Sequence, residues 1–236
     1  MADVTRIFSE LGGVLCVPAE QFNEKVSSIR AFIFDWDGVF NDGAKDQNGS
    51  SSFGEVDAMG TNLLRYSWWT RHNVMPIVTL MSGARNSISF QFGRREHVHG
   101  VYFNVKNKML AFEHLLASYG LAPESVAFFF DDVLDLALAE KCGLRVMINR
   151  KASPLFTQFV VGRGLADYVT AYAGGHSGLR EACELLIGTN GNYNEVVQSR
   201  AWFTDEYATY LKQREQIPVS FFTWDGESIV PTNPSE

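Results

Sequence analysis

Cysteine is scarce in this chain, and a long apolar run is missing. The 236 residues include three cysteines, Cys16, Cys142 and Cys183, which are widely spaced and form no Cys-x-x-Cys pair. An odd, scattered set suits a reducing compartment better than a disulfide framework, so we expect a cytoplasmic protein. The segment 12–19 is short and follows acidic rather than basic residues, which argues against a secretory signal. No segment approaches the roughly 20 apolar residues that a membrane helix needs, so we expect no membrane partner.

Basic clusters, metal-spaced histidines and phosphate-loop motifs are also missing. The formal net charge is -7 at pH 7, and no run of Lys and Arg stands out, so we expect no nucleic-acid partner. The five histidines lack the His-Glu-x-x-His spacing of a zinc site. A Gly-Lys-Ser/Thr sequence is absent, and Gly162-Arg163-Gly164 is too short to be a phosphate loop. The 46% of apolar and 20% of charged residues indicate an ordinary globular protein.

The stretch 31–43 combines an apolar run with two acids. Residues 31–34 have the length and character of a strand that is buried on both faces. Asp35 and Asp37 follow at once, before Gly38, which lets the backbone turn. In open α/β sheets, ligands bind at this end of the strands. Asp-x-Asp-Gly is also a common turn sequence, so the stretch alone leaves both interpretations open.

Strand-like apolar runs alternate with helical patterns through the middle of the chain. Each strong run ends at polar residues, which is typical of a parallel sheet whose polar side chains meet at one edge. We therefore predict an α/β fold with a doubly wound, mostly parallel sheet and helices on both faces. The predicted strands are 31–34, 76–81, 100–103, 126–130, 144–148 and 167–170, and the predicted helices are 58–72, 86–95, 105–119, 179–187 and 193–213.

The predicted sheet divides the chain into three parts. Residues 1–28 are an N-terminal extension, residues 29–190 the α/β domain, and residues 191–236 a C-terminal helix with an irregular tail. The Gly- and Ser-rich residues 43–57 are predicted to form a short flap hairpin over the strand ends. The gaps between strands leave no room for a cap domain. The apolar side of the helix at 193–213 fits a contact with another subunit or with its own domain, and the pattern does not decide between them.

The predicted strand ends bring several acids to one edge of the sheet. Two unit charges 4 Å apart interact by about 4 kcal/mol at an effective dielectric near 20, so these carboxylates repel each other. Because oxygen ligands are present without a suitable Cys or His cluster, Mg²⁺ is the natural counter-ion. A divalent metal, an amine and a hydroxyl beside a nucleophilic carboxylate are what phosphoryl transfer needs. The candidate site residues are Asp35, Asp37, Ser82, Gly83, Lys108, Asp131, Asp132 and Asp135.

Lys108 falls in the first turn of the helix predicted at 105–119. A cation there opposes the helix dipole, which favours anions at that end. A lysine placed against this preference can hold a negative group, although a solvated lysine is the commoner outcome.

These motifs resemble the four motifs of the haloacid dehalogenase superfamily. The matching segments are FDWDGVFNDG, Ser82-Gly83, Lys108 and Asp131-Asp132-x-x-Asp135, in this order. The chain is more specifically similar to the 3-deoxy-D-manno-octulosonate 8-phosphate phosphatase family and to the phosphatase-like module of some sialic-acid cytidylyltransferases. The further likeness lies in Asp57-Ala58-Met59-Gly60, in Ala173-Gly174-Gly175 and in Gly178-Leu179-Arg180-Glu181, and it extends over about residues 25 to 198.

The resemblance implies a role for each motif residue. Asp35 is expected to be the nucleophile, and Asp37 the general acid that protonates the leaving alkoxide and then activates water. Asp35, Asp131 and the backbone carbonyl of Asp37 are expected to bind Mg²⁺. Ser82, Gly83 and Lys108 would hold the phosphoryl oxygens. Asp132 and Asp135 would support the metal or pair with Lys108, since a buried ammonium needs such a partner.

Four positions depart from the family pattern. Phe130 replaces the usual Gly before the acidic pair, so its ring could crowd the metal or pack into the core. The second motif is one residue longer, which leaves the reach of Arg85 open. Val56 stands where the family often has a basic residue, and His176-Ser177 replaces a more basic loop. Of these departures, Val56 and His176-Ser177 concern the contacts that would select the substrate.

The resemblance implies a Mg²⁺-dependent phosphatase that uses an aspartyl-phosphate intermediate. Its substrate would be a small phosphorylated sugar or 2-keto sugar acid, which the sequence does not identify. A homotetramer is expected, in which a neighbouring subunit covers the capless site. A first alternative is a catalytically silent oligomerisation or binding module with the same fold. A second is a phosphorylated signalling receiver, but such domains lack the Asp-x-Asp pair.

Overall fold

The computed structural model describes residues 4–234, which contain a single mixed sheet. Its strands lie in the order β1-β7-β6-β5-β2-β3-β4-β8-β9. Pairing is parallel from β7 through β8, and β1 and β9 add antiparallel edges. The strands are β1 Val14–Leu15, β2 Ala31–Asp35, β3 Ile77–Met81, β4 Gly100–Phe103, β5 Val126–Phe130, β6 Leu144–Asn149, β7 Tyr168–Ala173, β8 Ser220–Trp224 and β9 Ile229–Thr232.

Helices cover both faces of the sheet, as predicted. Alternate residues of β2 and β5 enter two separate core clusters: Phe32 and Phe129 lie in one, and Ile33 and Phe128 in the other. The helices are α1 Val4–Leu11, α2 Ala19–Ser28, α3 Glu55–His72, α4 Ser87–Glu96, α5 Lys108–Tyr119, α6 Leu136–Ala139, α7 Pro154–Gly162, α8 Gly178–Asn190, α9 Tyr193–Ala201 and α10 Asp205–Glu215, with short 3₁₀ turns at Pro123–Ser125 and Val133–Asp135. The predicted doubly wound, mostly parallel fold is confirmed.

The centre of the sheet places three strand ends side by side. β2 pairs with β3 on one side and with β5 on the other. Asp35 lies opposite Met81, and Phe34 lies opposite Phe129. Because all three strands run in the same direction, the residues that follow them emerge at one edge of the sheet.

The C-terminal region differs from the prediction in two ways. The single helix predicted at 193–213 is two helices, because the chain turns at residues 202–204, where Phe203 has a φ of +50°. The predicted irregular tail is wrong, since β8 and β9 extend the sheet beyond β4. Tyr207 and Tyr210 are buried against α3, so much of the aromatic side packs on its own domain, whereas Trp202 is 75% exposed.

The segment after β2 is an irregular loop rather than the predicted hairpin. Residues 43–54 contain no strand, and α3 begins at Glu55. The connection from β3 to β4 holds only α4, so neither connection contains the cap domain that the spacing excludes. At the N-terminal side, β1 is a strand that the prediction missed. In the described part of the chain, no helix is long and apolar enough to cross a membrane.

Candidate active site

Four of the predicted site residues form a buried cluster of ion pairs. The Nζ atom of Lys108 lies 2.6 Å from Oδ1 of Asp35 and 2.5 Å from Oδ1 of Asp135. Carboxylate oxygens of Asp35, Asp131 and Asp135 all lie within 4.8 Å of one another. Lys108 is in the first turn of α5, as predicted, and is buried rather than solvated. The lysine therefore bridges acids that come from two different strand ends.

Burial dominates the electrostatics of this cluster. Burial raises the pKa of Asp35 well above its usual value, and the opposing charge of Lys108 offsets this only in part. Burial also raises the pKa of Asp131 to about 6. Burial alone would lower the pKa of Lys108, but the charges of Asp35 and Asp135 outweigh it and raise the pKa above its usual value. With all three acids ionised, the cluster would hold more negative charge than Lys108 cancels, which is why burial favours the protonated form of Asp35 and Asp131.

The cluster fits a divalent cation. Oδ1 of Asp131 is buried and has no hydrogen-bond partner among the described residues. An unpartnered carboxylate oxygen is costly in a buried position unless a cation or water binds it. The donors are all oxygen atoms, which is the ligand type that Mg²⁺ prefers. The residues present are therefore compatible with a bound magnesium ion.

Asp132 and Asp135 play different parts, although the sequence presents them together. Asp132 is exposed, and its side chain accepts a hydrogen bond of 2.7 Å from the backbone N–H of Val133. The side chain of Asp135 accepts in return from the backbone N–H of Asp132, so the two acids cap the short 3₁₀ turn reciprocally. Of the two, Asp135 is the partner of Lys108.

Phe130 does not enter the ion cluster. Its ring is fully buried and stacks on Phe128, with 5.6 Å between the ring centroids. Both rings belong to the core cluster on the α5 face of the sheet. The next residue, Asp131, remains close to Asp35 and Asp135. The aromatic residue at this position therefore serves the core.

Gly38 allows the two acidic motifs to approach each other. It has a φ of +85°, and a Cβ atom there would lie 2.0 Å from Oδ2 of Asp131. Val39 and Phe40 donate backbone hydrogen bonds to the carbonyl of Trp36 across the same turn. The Asp-x-Asp-Gly stretch is therefore a tight turn and part of the site at once.

Ser82 and Gly83 follow β3 at the same edge of the sheet. Met81 is paired with Asp35, so Ser82 comes one residue beyond the level of Asp35. Ser82 is buried, and its hydroxyl accepts a hydrogen bond of 3.2 Å from the backbone N–H of Ala84. No heavy atom beyond its chain neighbours lies within 4 Å of where a Cβ of Gly83 would be. Both residues thus follow β3 at the edge of the sheet where Asp35 ends β2.

Asp37 is held by two residues that the sequence analysis missed. Nζ of Lys45 lies 2.5 Å from Oδ1 of Asp37, and the hydroxyl of Ser51 donates a hydrogen bond to the same oxygen. The Asp37 side chain is 26% exposed and that of Lys45 is 36% exposed. Lys45 is the only basic residue between Arg30 and Arg65, which is the one signal that could have drawn attention to it.

Arg150 is a further missed residue. Its Nη2 atom lies 2.6 Å from Oδ2 of Asp131. The other carboxylate oxygen of Asp131, Oδ1, is the one without a hydrogen-bond partner among the described residues. The Arg150 side chain is 40% exposed. It follows the end of β6, so the rule that polar residues after parallel strands meet at one edge applies to it as well.

The remaining family-like motifs serve packing. Asp57 accepts a hydrogen bond of 2.8 Å from the backbone N–H of Arg180, at the start of α8. A Cβ on Gly60 would lie 3.1 Å from Cα of Arg180, and one on Gly174 would lie 2.0 Å from the carbonyl oxygen of Gly38. These residues fix α3 to α8 and the late Gly-Gly loop to the turn after β2.

The other unusual positions lie outside the ion cluster. Arg85 is exposed and lies over the rings of Phe90 and Phe103, at 5.4 and 5.8 Å from their centroids. Val56 is exposed on the first turn of α3. His176 is exposed, and its Nδ1 atom lies 3.3 Å from the carbonyl of Gly174. None of these contacts involves an acid of the cluster.

Curated relatives and solved structures are similar to this chain. The 3-deoxy-D-manno-octulosonate 8-phosphate phosphatase KdsC of Salmonella typhi is 33% identical over 176 residues, which cover 73% of this chain and 86% of the relative. A solved hydrolase of HAD superfamily subfamily III A from Legionella pneumophila has a TM-score of 0.65 and 27% identity, covering 78% of this chain and 95% of that one.

A third similar protein was solved with ligands. It is the 3-deoxy-D-manno-octulosonate 8-phosphate phosphatase of Moraxella catarrhalis, in complex with a magnesium ion, a phosphate ion and KDO. Its TM-score is 0.64 with 21% identity, over 78% of this chain and 99% of that one, which supports the fold. No family model matches the chain. On the 33% identity over most of the curated relative, the chain belongs to the 3-deoxy-D-manno-octulosonate 8-phosphate phosphatase family of the haloacid dehalogenase superfamily.

Proposed function

We propose that this protein is a Mg²⁺-dependent phosphatase that acts on a small phosphorylated sugar or 2-keto sugar acid. The observation that carries the proposal is the buried cluster of Asp35, Asp131 and Asp135 around Lys108. A scaffold protein gains nothing from burying three like charges, since desolvation makes them costly. A site for phosphoryl transfer does, because it must hold a metal and orient a nucleophile. A silent module of the same fold is therefore not favoured.

Asp35 is the proposed nucleophile. A carboxylate oxygen of Asp35 forms a bond to the phosphorus of the ester, and the bond between phosphorus and the sugar oxygen breaks. Asp37 gives its proton to the departing alkoxide, which leaves as the free sugar. Asp37 then takes a proton from water, the resulting hydroxide attacks the phosphorus of the aspartyl-phosphate, and Asp35 is regenerated with release of phosphate.

Lys108, Ser82 and Gly83 are proposed to hold the phosphoryl oxygens. Lys108 presents a fixed ammonium beside Asp35, held there also by Asp135. Ser82 and Gly83 follow the neighbouring strand and can offer a hydroxyl and backbone N–H groups from the same edge. Fixed donors of this kind stabilise the charge that spreads over the equatorial oxygens in the transition state.

Asp35, Asp131 and the backbone carbonyl of Asp37 are the proposed holders of Mg²⁺. When bound, the ion supplies positive charge that offsets the carboxylates and the phosphoryl oxygens. The unpartnered Oδ1 of Asp131 supports this assignment. Asp132 acts only through the turn that it caps, and Asp135 acts by orienting Lys108.

The named relatives support the substrate class. The KdsC proteins bear the name of a phosphatase of 3-deoxy-D-manno-octulosonate 8-phosphate, and the Moraxella catarrhalis structure holds magnesium, phosphate and KDO. This compound is both a sugar phosphate and a 2-keto acid, and it heads the group of substrates to be tested. Val56 and His176, which replace basic residues of the family, leave room for a different member of that class.

We also propose that residues 29–190 carry the catalytic activity in a cytoplasmic homotetramer. Without a cap domain, the aspartyl-phosphate needs another means of controlling water. Large apolar side chains are exposed on the loops and helix after β5 and β6: Val133, Leu134, Leu155 and Phe159. A neighbouring subunit would bury such a surface. Light scattering at assay concentration tests this, and an active monomer would contradict it.

Phosphate release from a substrate panel tests the proposed function. The panel contains 3-deoxy-D-manno-octulosonate 8-phosphate, other phosphorylated sugar acids and neutral sugar phosphates, each with Mg²⁺ and with EDTA. We expect Mg²⁺-dependent release from at least one of them. Asp35→Asn should fall to background while its circular dichroism remains that of the wild type, because the amide is not a nucleophile. Asp132→Asn, a change at the neighbouring exposed cap, should keep most activity. Release by Asp35→Asn at the wild-type rate would contradict the assignment.

A further inference from the structure

The loop between β2 and α3 brings two side chains onto Asp37. Lys45 and Ser51 both contact Oδ1 of this carboxylate. They also contact each other, since Nζ of Lys45 donates a hydrogen bond of 3.2 Å to Oγ of Ser51. Neither contact uses Oδ2, which remains the oxygen that can face a leaving group. We call Lys45 and Ser51 the Asp37 bracket.

A tight turn places the two members of the bracket side by side. The backbone N–H of Asp46 donates to the carbonyl of Ser50 at 2.7 Å, and that of Gly49 donates to the carbonyl of Asp46 at 3.0 Å. The Asp46 side chain accepts from the backbone N–H groups of Asn48 and Ser50, at 2.8 and 2.9 Å. Gly49 has a φ of +74°, which a glycine adopts without strain. The Gly- and Ser-rich segment is therefore a built turn.

The bracket is also anchored to the rest of the fold. Nδ2 of Asn86, the N-cap of α4, donates a hydrogen bond of 2.8 Å to Oγ of Ser51. The indole N–H of Trp36 donates to the carbonyl of Ser51 at 3.3 Å. Asn86 and Trp36 are fully buried, and Ser51 is 2% exposed. Ser51 is thus fixed from three sides, and its hydroxyl has a defined position relative to Asp37.

We propose that Lys45 and Ser51 are positioning residues for Asp37, which orient its carboxylate for proton transfer to the leaving group. The proposal rests on the proposed function, in which Asp37 is the general acid. Asp37 has no contact with the Lys108 cluster among the described hydrogen bonds and ion pairs, so the bracket is what fixes it. With Oδ1 held by two donors, the carboxylate cannot rotate freely, and Oδ2 is directed away from them.

Proton transfer depends steeply on such orientation. General acid–base catalysis contributes roughly 10²–10⁴-fold, and it needs the acid within hydrogen-bond reach of the reacting oxygen. A misplacement of about 1 Å by a change outside the chemistry can cost about 100-fold. A sugar alkoxide is a poor leaving group that needs the proton, whereas p-nitrophenolate departs readily without it. The bracket should therefore matter for alkyl phosphates and much less for aryl phosphates.

The test compares kcat/KM for 3-deoxy-D-manno-octulosonate 8-phosphate with kcat/KM for p-nitrophenyl phosphate, both with Mg²⁺. For each substrate, kcat/KM reports on the steps up to the departure of the leaving group, before water attacks. Lys45→Met and Ser51→Ala should each lower the sugar-phosphate value by about tenfold or more, within the contribution of general acid catalysis. The aryl-phosphate value should fall by less than about threefold, because its departure needs little proton donation. Lys45→Arg, which keeps a donor, should recover most of the loss.

Three controls make the outcome decisive. Lys212→Met changes an exposed lysine on α10 and should leave both values unchanged. In an Asp37→Asn background, Lys45→Met should cause no further loss, because residues that act as a unit are not additive. Circular dichroism checks that each variant is folded. If Lys45→Met does not fold, Ser51→Ala tests the proposal in its place. Equal losses on both substrates, or additive losses in the Asp37→Asn background, would overturn the proposal. A wild-type protein inactive on every substrate of the panel would instead overturn the proposed function.

Discussion

The two acidic regions of the site are built in different ways. The Lys108 cluster is buried, with at most 9% of the side chain exposed for Lys108, Asp35 and Asp135, and its members come from strand ends and a first helical turn. In the second region, Asp37 and Lys45 are partly exposed while Ser51 is buried, and both donors of the Asp37 bracket come from an irregular loop. The first region is fixed by the sheet, and the second by a turn that is tied to it.

This difference matches what each region has to do. In a buried site, charges interact strongly and cannot lose a partner without cost. That suits groups which keep one position through the reaction, such as a nucleophile and a phosphate-binding lysine. In a partly exposed site, solvent screens the charges, so a change in the charge of one partner costs less free energy. That suits an acid which must give and take a proton.

Removing the lysine of the buried cluster is expected to have the largest effect. Lys108→Met leaves Asp35 and Asp135 without their cation, and breaking a buried pair costs about 3–5 kcal/mol of unfolding free energy. Turnover should fall to background as well, because the phosphoryl oxygens lose their ammonium. Urea unfolding in EDTA, followed by circular dichroism, measures the stability change.

Lys106→Met is the matched control for this change. Lys106 lies two residues earlier and is exposed, so its loss should change stability by less than about 0.5 kcal/mol, as for most surface substitutions. If both variants lost the same stability, the cluster would not be the buried electrostatic unit described above.

The buried cluster is also the part of the site that the sequence could predict. Asp35 and Asp131 each follow an apolar run, and parallel strands bring such residues to one edge. The position of Lys108 in a first turn followed from the helical spacing after it. The bracket could not be predicted in this way, because Lys45 and Ser51 lie in a segment without periodicity. Their meeting depends on the turn at 46–50, which is a matter of loop geometry.

The edges of the fold were harder to predict than its centre, for related reasons. β1 and β9 are the edge strands, and β8 lies next to β9. β1 has only two residues, and β8 and β9 include Ser, Thr and Pro, so none of them has an apolar run like those of the central strands. The break between α9 and α10 falls at Trp202-Phe203-Thr204, where no Gly or Pro signals a turn. Phe203 adopts a positive φ that its side chain disfavours, and only tertiary packing can impose that.

The pH dependence of the unfolding free energy should distinguish Asp131, a buried acid of the site, from Asp57, a buried acid outside it. Burial raises the pKa of Asp131 and of Asp57, each to about 6 from 3.8. An acid whose folded pKa is raised contributes stability below its unfolded pKa, near 3.8, and loses it as the pH rises through about 6. A shift of this size corresponds to about 3 kcal/mol at most for each group.

Asp57→Asn should remove the part of the pH-dependent unfolding free energy that comes from Asp57. The difference in unfolding free energy between the variant and the wild type, both in EDTA, should grow in favour of the variant from about pH 4 to pH 7. Mg²⁺ should suppress only the part that belongs to Asp131, because Asp57, in the first turn of α3 and hydrogen-bonded to the start of α8, is not one of the clustered acids. A difference that does not change with pH would show that Asp57 does not titrate in this window.

The smallest effect is expected from Phe130→Leu. This substitution tests whether a change in the core beneath the site leaves turnover and Mg²⁺ binding unaltered. Phe130 packs on Phe128, so a large apolar substitute should cost only about 1 kcal/mol. Turnover and the Mg²⁺ concentration for half-maximal stabilisation should stay within about twofold of the wild type, a change of less than 0.5 kcal/mol. If the ring instead crowded the ion, Phe130→Leu would bind Mg²⁺ more tightly, and the aromatic residue would then limit activity.

Phe130→Ala distinguishes the two cases further, since it should cost about 3–5 kcal/mol of stability through the cavity it leaves. A loss of stability without a gain in Mg²⁺ affinity would place Phe130 with the core and apart from the buried acids that follow it.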